Sequence, residues 1–217
     1  MISALLFDLD GTLAETDSLH LPTWVDVLEP YGVRVDKEFY KEEISGQSTA
    51  EIVRALLPDL SDEEVRAIGE AKEANFRERA AELEPVPGLI DFVEQGRERG
   101  MEIALVTNAP KENVEAILLA LELRSSFDTV VLADEVGAVK PDPAPYLAAL
   151  KKTGVPAEEA LAFEDSVSGV SSSVAAGIPT VGITSSRAPK KLLGAGALIT
   201  VQDFTDARLQ DLIGSRA

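Results

Sequence analysis

The fold is decided by the run Ile2–Phe7 together with the residues that follow it, Asp8-Leu9-Asp10-Gly11-Thr12. Ile2–Phe7 is apolar except for Ser3, which is the pattern of a buried strand in a parallel sheet. Asp8 and Asp10 are two residues apart, so an extended chain points both carboxylates to the same side. Such close negative charges are costly unless a cation or a shared proton relieves them. Because a doubly wound sheet binds ligands at the carboxyl ends of its strands, the stretch predicts metal-assisted chemistry there.

The overall composition limits what the chain can bind. With 217 residues, 45% of them hydrophobic, the chain is long enough to bury a sizeable core. The formal net charge of −18 argues against nucleic acid and anionic membrane surfaces as partners. The absence of cysteine excludes disulfides, thiol chemistry and cysteine-ligated zinc. No apolar run approaches about 18 residues and no leader segment is recognisable, so we expect a cytoplasmic protein without a membrane span. We also expect a monomer.

The hydrophobic pattern divides the chain into two regions. After Thr12 the pattern is helical as far as about Leu83, and a capping box at Ser61–Glu64 opens the longest helix. From Pro87 strands alternate with helices; the strands are predicted at 103–106, 129–132, 160–163, 179–183 and 197–201, and a closing helix at 203–212. We therefore predict an α/β fold with a doubly wound parallel-sheet (Rossmann-like) core, residues 1–13 and 86–217, and an inserted all-helical cap, residues 14–85.

Four motifs, in this order along the chain, resemble those of the haloacid dehalogenase superfamily of phosphohydrolases and phosphomutases. They are the DxDGT pattern of Asp8–Thr12, Thr107 after a strand, Lys140 before a proline-rich turn, and Glu164–Asp165 after another strand. One such motif is a modest signal, but four in order across most of the chain are specific. The resemblance is to the β-phosphoglucomutase and phosphatase branch, in which a helical cap follows the first strand.

The resemblance implies distinct roles for the two aspartates of the first motif. Asp8 is the expected nucleophile, which attacks phosphorus and forms an aspartyl phosphate. Asp10 is the expected general acid–base, which protonates the leaving oxygen and then takes a proton from the attacking water. Dehalogenases of this pattern lack the second aspartate because halide leaves without a proton. Asp10 therefore favours phosphate over halide.

The resemblance also implies the remaining catalytic and metal-binding residues. Thr107 and Lys140 are expected to hold and stabilise the transferring phosphoryl group. The expected cofactor is Mg²⁺, bound by the carboxylates of Asp8 and Asp165 and the main-chain carbonyl of Asp10. Glu164 is expected to orient Lys140 or to reach the metal through water. The alternative is that Thr107 and Glu164–Asp165 only cap the helices that follow them.

Further residues are candidates for binding the substrate. Gly11 and Thr12 offer backbone room and main-chain N–H groups to phosphoryl oxygens, and Asn108 follows Thr107 directly. In the cap, Lys72 stands within an apolar helix stripe, where it either points to a cleft or lies over apolar surface. His20, the one histidine, matches the spacing after the first motif in β-phosphoglucomutases.

The loop Ser45–Thr49 resembles the cap loop that dips towards the site in this family. Gln47 and Ser48 are therefore also candidate substrate contacts. The mutases of the family carry an arginine in this loop that grips a second phosphate, whereas this chain has Thr49. That difference favours simple hydrolysis.

These observations predict a Mg²⁺-dependent phosphatase that hydrolyses a small phosphomonoester, either a sugar phosphate or a phosphoglycolate-like compound, through an aspartyl-phosphate intermediate. One alternative is a β-phosphoglucomutase-like enzyme, which shields its aspartyl phosphate for return to the substrate. Another is a phospho-accepting signalling module, which also gathers Asp, Thr and Lys around Mg²⁺ on a parallel sheet. Such modules lack both a long helical insert and a DxDGT pattern on the first strand.

Overall fold

The computed structural model describes residues 1–44 and 47–214. The chain forms two compact units. The α/β unit comprises Met1–Glu15 and Leu83–Ala217, and the helical unit comprises Thr16–Glu82. None of the helices within the described residues is long and apolar enough to span a membrane.

The helical unit, Thr16–Glu82, is slightly shorter at both ends than the cap expected at residues 14–85. Ala14 forms an isolated antiparallel bridge with Pro85, and the Val86 N–H donates to the Leu13 carbonyl at 2.8 Å. These main-chain bonds join the two crossing segments to each other. Ala14, Glu15 and the residues from Leu83 onward therefore belong to the α/β unit.

The α/β unit is built on a six-stranded sheet in the order β3-β2-β1-β4-β5-β6, with every neighbouring pair parallel. The order reverses at the centre, between β1 and β4, which is the topology of a doubly wound sheet. The predicted fold class is confirmed. The strands are β1 (Ala4–Phe7), β2 (Glu102–Thr107), β3 (Thr129–Leu132), β4 (Ala160–Glu164), β5 (Thr180–Ile183) and β6 (Ile199–Val201).

Strand β1 lies in the middle of the sheet, and all four of its residues are buried. Its two faces pack against different side chains. On one face Phe7 stacks on Phe163 with ring centroids 4.8 Å apart, within a cluster that includes Phe92 and Phe204. On the other face Ala4 and Leu6 join a cluster of small residues around Tyr146, among them Ala104, Ala149, Ala160 and Ala162. The alternation of the strand thus divides the core into an aromatic layer and a layer of small residues.

The helices begin and end where the sequence provides signals. Ser61 forms the predicted capping box with Glu64, and Ser48 forms another with Glu51. The helices of the helical unit are α1 (Asp17–Leu28), α2 (Lys37–Phe39), α3 (Thr49–Leu56) and α4 (Asp62–Arg79), with a π-helical turn at Tyr40–Ile44. Those of the α/β unit are α5 (Leu89–Glu98), α6 (Lys111–Ala120), α7 (Ala133–Val136), α8 (Ala144–Thr153), α9 (Val167–Ala175), α10 (Pro189–Gly194) and α11 (Ala207–Gly214).

The closing helix starts later than predicted. It begins at Ala207 rather than at Asp203. The Asp203 carboxylate accepts a bond of 2.9 Å from the Thr205 N–H, and Asp206 accepts one of 3.0 Å from the Arg208 N–H. These side-chain bonds close turns before the helix, because aspartate competes with the helical backbone for its N–H groups.

Candidate active site

The candidate site lies where strands β1 and β4 end, at the reversal of the strand order. Phe7 pairs with Phe163, so Asp8 and Glu164 follow at the same level of neighbouring strands. Asp165 comes next in the chain. All three carboxyl side chains are buried, with exposures of 8% for Asp8, 0% for Glu164 and 6% for Asp165. The fold therefore brings together residues that are more than 150 positions apart in the sequence.

The ammonium group of Lys140 lies at the centre of this cluster. Its Nζ donates to Asp8 Oδ1 at 2.6 Å, to Glu164 Oε1 at 2.6 Å and to the Val106 carbonyl at 2.7 Å. These three bonds use all three ammonium protons. Lys140 is thus held in one position and is itself only 7% exposed.

The pKa values in the cluster reflect its excess of negative charge. Burial raises the pKa of the Asp8 carboxyl well above its ordinary value, and the Glu164 carboxylate adds to the effect, while the Lys140 ammonium partly offsets it. Burial alone would lower the pKa of Lys140, but the neighbouring Asp8 and Glu164 carboxylates outweigh it, so the pKa is raised and the amine stays protonated. Within the set formed by Asp8, Lys140, Glu164 and Asp165, one ammonium group thus lies among three carboxyl groups.

The side chains fit a divalent metal ion. Asp8, Glu164 and Asp165 offer ligand oxygens that all lie within 4.8 Å of one another. Carboxylate oxygens are the ligands that Mg²⁺ prefers, and a divalent cation would offset the negative charge that these buried carboxyl groups bring together. In the first motif, the buried Thr12 Oγ1 has no hydrogen-bond partner in the described part of the chain. Both the donor set and the local charge are therefore suited to Mg²⁺.

The turn after β1 positions Asp10 and Gly11. The Gly11 N–H donates to the Ala14 carbonyl at 2.8 Å, and the Thr12 N–H to the Leu9 carbonyl at 3.3 Å. Both N–H groups proposed for phosphoryl oxygens are thus engaged within the turn, because the turn needs them to close. Gly11 contributes space instead, since an added Cβ would overlap the Asp165 carboxylate. Asp10 is half-buried, and its charge contributes to the raised pKa of Asp8.

Asn108 supports Lys140 from the neighbouring strand end. Its Oδ1 accepts from the Lys140 N–H at 3.1 Å, and its Nδ2 donates to the Lys140 carbonyl at 3.5 Å. The peptide bond between Lys140 and Pro141 is cis. The amide of Asn108 therefore binds the main chain of the lysine loop, a role that the sequence did not predict. Substrate contact by Asn108 stays a prediction.

The predicted catalytic residues Thr107, Glu164 and Asp165 do not occupy the N-cap positions of the helices that follow them. Thr107 is 1% exposed, and its Oγ1 accepts from the Ala109 N–H at 2.9 Å, while Pro110 occupies the N-cap position of α6 and forms no side-chain cap there. Ser166, rather than Glu164 or Asp165, caps α9 through its side chain. The capping alternative is therefore wrong for both motifs.

Three residues near the site were not predicted from the sequence. The Tyr146 hydroxyl donates to Glu164 Oε1 at 2.7 Å. The Ser185 hydroxyl donates to the Gly11 carbonyl at 2.5 Å, and the Ser186 hydroxyl to the Asp165 carbonyl at 3.2 Å. The position of the two serines after strand β5 was a usable signal, because strand ends meet at one edge of the sheet. The sequence offers no such signal for Tyr146, because its spacing is that of an ordinary core residue.

In the helical unit, the predicted residues His20 and Lys72 lie side by side. Lys72 is 5% exposed, and its Nζ lies 3.1 Å from His20 Nδ1 and 3.0 Å from Glu73 Oε1. His20 stacks on Phe76 with ring centroids 4.3 Å apart. The Thr49 hydroxyl also donates to Glu73 Oε1, at 3.0 Å. The cationic side chain is therefore paired within its own unit.

The predicted cap-loop residues make local contacts. Ser48 is exposed and caps α3, and the Gln47 side chain donates to the Glu43 carbonyl at 2.9 Å. Ser45 and Gly46, which belong to the same predicted loop, lie outside the described residues. Substrate contact by Gln47 and Ser48 stays a prediction.

Comparison with known proteins identifies the family. The profile of the haloacid dehalogenase-like hydrolases matches residues 5–183, a range that contains all four motifs. The chain is a haloacid dehalogenase-like hydrolase. The resemblance inferred from the motifs is thereby confirmed.

Relatives of this haloacid dehalogenase-like hydrolase include Protein CbbY and two named phosphatases. Protein CbbY of Cereibacter sphaeroides is 34% identical over 189 residues, which cover 82% of each chain. The phosphorylated carbohydrates phosphatase of Thermotoga maritima is 32% identical over 208 residues, covering 93% of this chain and 94% of its own. The fructose-1-phosphate phosphatase YqaB of Escherichia coli is 32% identical over 183 residues, which cover 83% of this chain and 96% of YqaB.

Solved structures share the fold over nearly the full hydrolase chain. A mutant of CbbY from Rhodobacter sphaeroides, in complex with xylulose-(1,5)bisphosphate, superposes with a TM-score of 0.82 at 30% identity, covering 95% of this chain and 96% of that one. A putative beta-phosphoglucomutase from Thermotoga maritima superposes with a TM-score of 0.80 at 29% identity. The match covers 98% of this chain and 100% of that one. At this coverage, the matched residues include most of the helical unit as well as the α/β unit.

Proposed function

We propose that this protein is a Mg²⁺-dependent phosphatase that hydrolyses a sugar phosphate or a similarly small phosphomonoester through an aspartyl phosphate on Asp8. Its family and its named phosphatase relatives show that the chain is a hydrolase acting on phosphoric monoesters. The observation that carries the mechanism is the position of the Lys140 ammonium, 2.6 Å from Asp8 Oδ1 and beside a group of carboxylates suited to a metal.

The reaction proceeds in two displacements at phosphorus. An Asp8 carboxylate oxygen attacks phosphorus while the bond from phosphorus to the ester oxygen breaks, and the Asp10 carboxylic acid gives its proton to that leaving oxygen. The Asp10 carboxylate then takes a proton from a water molecule whose oxygen attacks the aspartyl phosphate. The acyl-phosphate bond breaks, which releases inorganic phosphate and regenerates Asp8.

The surrounding groups stabilise charge during these steps. Lys140 stays protonated and offsets the charge that builds up on the phosphoryl oxygens, and the Thr107 hydroxyl can donate to one of them. Asp8, Asp165 and the Asp10 carbonyl would hold Mg²⁺, while Glu164 orients Lys140. A bound Mg²⁺ would keep Asp8 ionised and withdraw charge from the phosphoryl group.

Removal of the divalent metal ion is expected to abolish activity reversibly. After treatment with EDTA and its removal, hydrolysis should return with Mg²⁺ and much less with Ca²⁺, because Ca²⁺ prefers more ligands and looser geometry. The measurement is phosphate release as a function of added metal. Full activity in the thoroughly metal-free protein would contradict the proposed cofactor.

Insertion of a Cβ next to Asp165 is expected to impair catalysis specifically. Gly11 and Gly100 both have φ of 74°, but an added Cβ meets the Asp165 carboxylate at Gly11 and nothing within 4 Å at Gly100. Gly11→Ala and Gly100→Ala should therefore share a backbone cost of about 1–2 kcal/mol in the free energy of unfolding. Only Gly11→Ala should also lower kcat/KM, by about 100-fold, because it displaces a catalytic-site carboxylate. Equal activities for the two variants would refute this role of Gly11.

The helical unit favours hydrolysis over phosphomutase activity. In the cap loop, where the mutases that this chain resembles carry an arginine that grips a second phosphate, this chain has Thr49. The nearby cation, Lys72, is already paired with Glu73, which Thr49 also contacts. A second phosphate would therefore compete with a carboxylate for this lysine. A sugar monophosphate is the better fit.

A panel of phosphomonoesters assayed with Mg²⁺ tests the proposed function. We expect steady phosphate release from one or more sugar monophosphates, at a rate above that with a generic aryl phosphate. Conversion of a sugar monophosphate to its isomer, dependent on a bisphosphate and without phosphate release, would instead support the mutase. Stable labelling by acetyl phosphate without turnover of any ester would support a signalling module. The cytoplasmic location and the monomeric state stay predictions.

A further inference from the structure

The hydroxyl of Tyr146 lies on the inner side of the candidate site. Tyr146 belongs to α8 and is completely buried. Its hydroxyl donates to Glu164 Oε1 at 2.7 Å, the same oxygen that accepts from Lys140 Nζ at 2.6 Å. A carboxylate oxygen has two lone pairs, so these two donors fully occupy Oε1. The Glu164 carboxylate is therefore fixed from two different elements of the fold.

Glu164 has little other polar support. Among the described residues, the further hydrogen bond to its side chain comes from Ser166 Oγ to Oε2, at a long 3.4 Å. Gly169 makes room for the carboxylate, because an added Cβ there would overlap it. A fully buried carboxyl group needs hydrogen-bond donors. Tyr146 and Lys140 provide them.

The tyrosine itself is rigidly placed. Helix α8 packs on β2 and β3, and the ring lies in the layer of small residues that includes Ala104, Ala160 and Ala162. Lys140 Nζ lies 5.2 Å from the centroid of the same ring. Side chains in a densely packed core hold one position, so the hydroxyl is a fixed donor.

We propose that Tyr146 is a positioning residue: its hydroxyl fixes the Glu164 carboxylate, which in turn holds the Lys140 ammonium against Asp8. The proposal rests on the proposed function, since the aligned ammonium is the one that stabilises the transferring phosphoryl group. Without the hydroxyl, Lys140 is the one side-chain donor to Oε1 that the described residues provide, so the carboxylate can turn and the ammonium can shift. The loss of such supporting groups around catalytic centres typically costs about 10- to 100-fold.

The substitution Tyr146→Phe tests this proposal kinetically, because it keeps the ring and removes only the hydroxyl. We expect kcat to fall at least about tenfold, while KM and the Mg²⁺ concentration for half-maximal activity stay within about twofold. Tyr40→Phe is the matched control. Tyr40 is also buried and donates to a carboxylate, Asp17 Oδ1, at 2.7 Å, but it belongs to the helical unit. Its loss should leave kcat unchanged.

A crystal structure of the Tyr146→Phe variant provides a readout that does not depend on activity. We expect a turned Glu164 carboxylate, and Lys140 Nζ more than about 3.5 Å from Asp8 Oδ1. An unmoved Lys140, an unchanged kcat, or a fall in kcat that only follows a loss of folded protein in thermal unfolding would each overturn the proposal. A wild-type protein without phosphatase activity would refute the proposed function alone, because the position of Lys140 in the variant would still decide the role of Tyr146.

Discussion

The substitution Asp8→Asn is expected to lower kcat by at least about 10⁴-fold without harming the fold. The amide cannot form an aspartyl phosphate, and loss of an enzyme nucleophile costs about this much or more. The effect on stability should be neutral or positive in the absence of metal. Burial and the Glu164 carboxylate raise the pKa of Asp8, so the ionised group is unfavourable in the folded protein. The measurements are single-turnover phosphate release and the thermal unfolding midpoint.

Asp206→Asn is the matched control for this prediction. The hydrogen bond from Arg208 lowers the pKa of Asp206 to about 2. A lowered folded-state pKa means that this carboxylate stabilises the protein above its ordinary pKa near 3.8, and that the contribution disappears as the pH falls towards 2. Asp206→Asn should therefore keep full activity and lose a little stability at neutral pH. Substantial hydrolysis by Asp8→Asn would exclude Asp8 as the nucleophile.

The substitution Lys140→Met is expected to impair both stability and activity. It leaves Asp8 and Glu164 as buried carboxylates without their cation, and breaking a buried ion pair costs about 3–5 kcal/mol in the free energy of unfolding. Loss of the charge that stabilises the phosphoryl group should also reduce kcat by about 10²–10³-fold. Denaturant unfolding and steady-state kinetics measure the two effects separately.

Two further variants show whether the lost stability arises from uncompensated charge. Adding Glu164→Gln to Lys140→Met should restore part of the stability but none of the activity, because the double variant has one buried negative charge fewer. Lys111→Met, at an exposed position at the start of α6, should change neither property. If Lys140→Met were as stable as the wild type, the buried ion pairs would not hold this part of the structure together.

Local sequence patterns were sufficient for most of the fold. The apolar run before Asp8 formed the central strand, the alternation of strands and helices after Pro87 formed the parallel sheet, and the capping box at Ser61 opened α4. These features depend on neighbouring residues and on the period of burial, both of which can be read along the chain. The predicted start of α11 was wrong because Asp203 and Asp206 accept hydrogen bonds from nearby N–H groups and form turns before the helix.

The composition of the site could also be predicted, but not its hydrogen bonding. The motif order and the rule that strand ends meet placed Asp8, Lys140, Glu164 and Asp165 together. The Lys140–Asp8 bond joins residues 132 positions apart, so its geometry depends on how distant segments of the chain pack together. Periodicity carries no information about such distant contacts.

The sequence by itself thus determined the fold class, the family and the principal acidic and basic residues, because each follows from short patterns of residue type and spacing. Tertiary structure alone decided that Asn108 binds the lysine loop, that Gly11 serves by leaving space for Asp165, and that Tyr146 shares Glu164 with Lys140. The physical reason is that hydrogen-bond partners and steric contacts are set by packing between elements that are far apart in the chain.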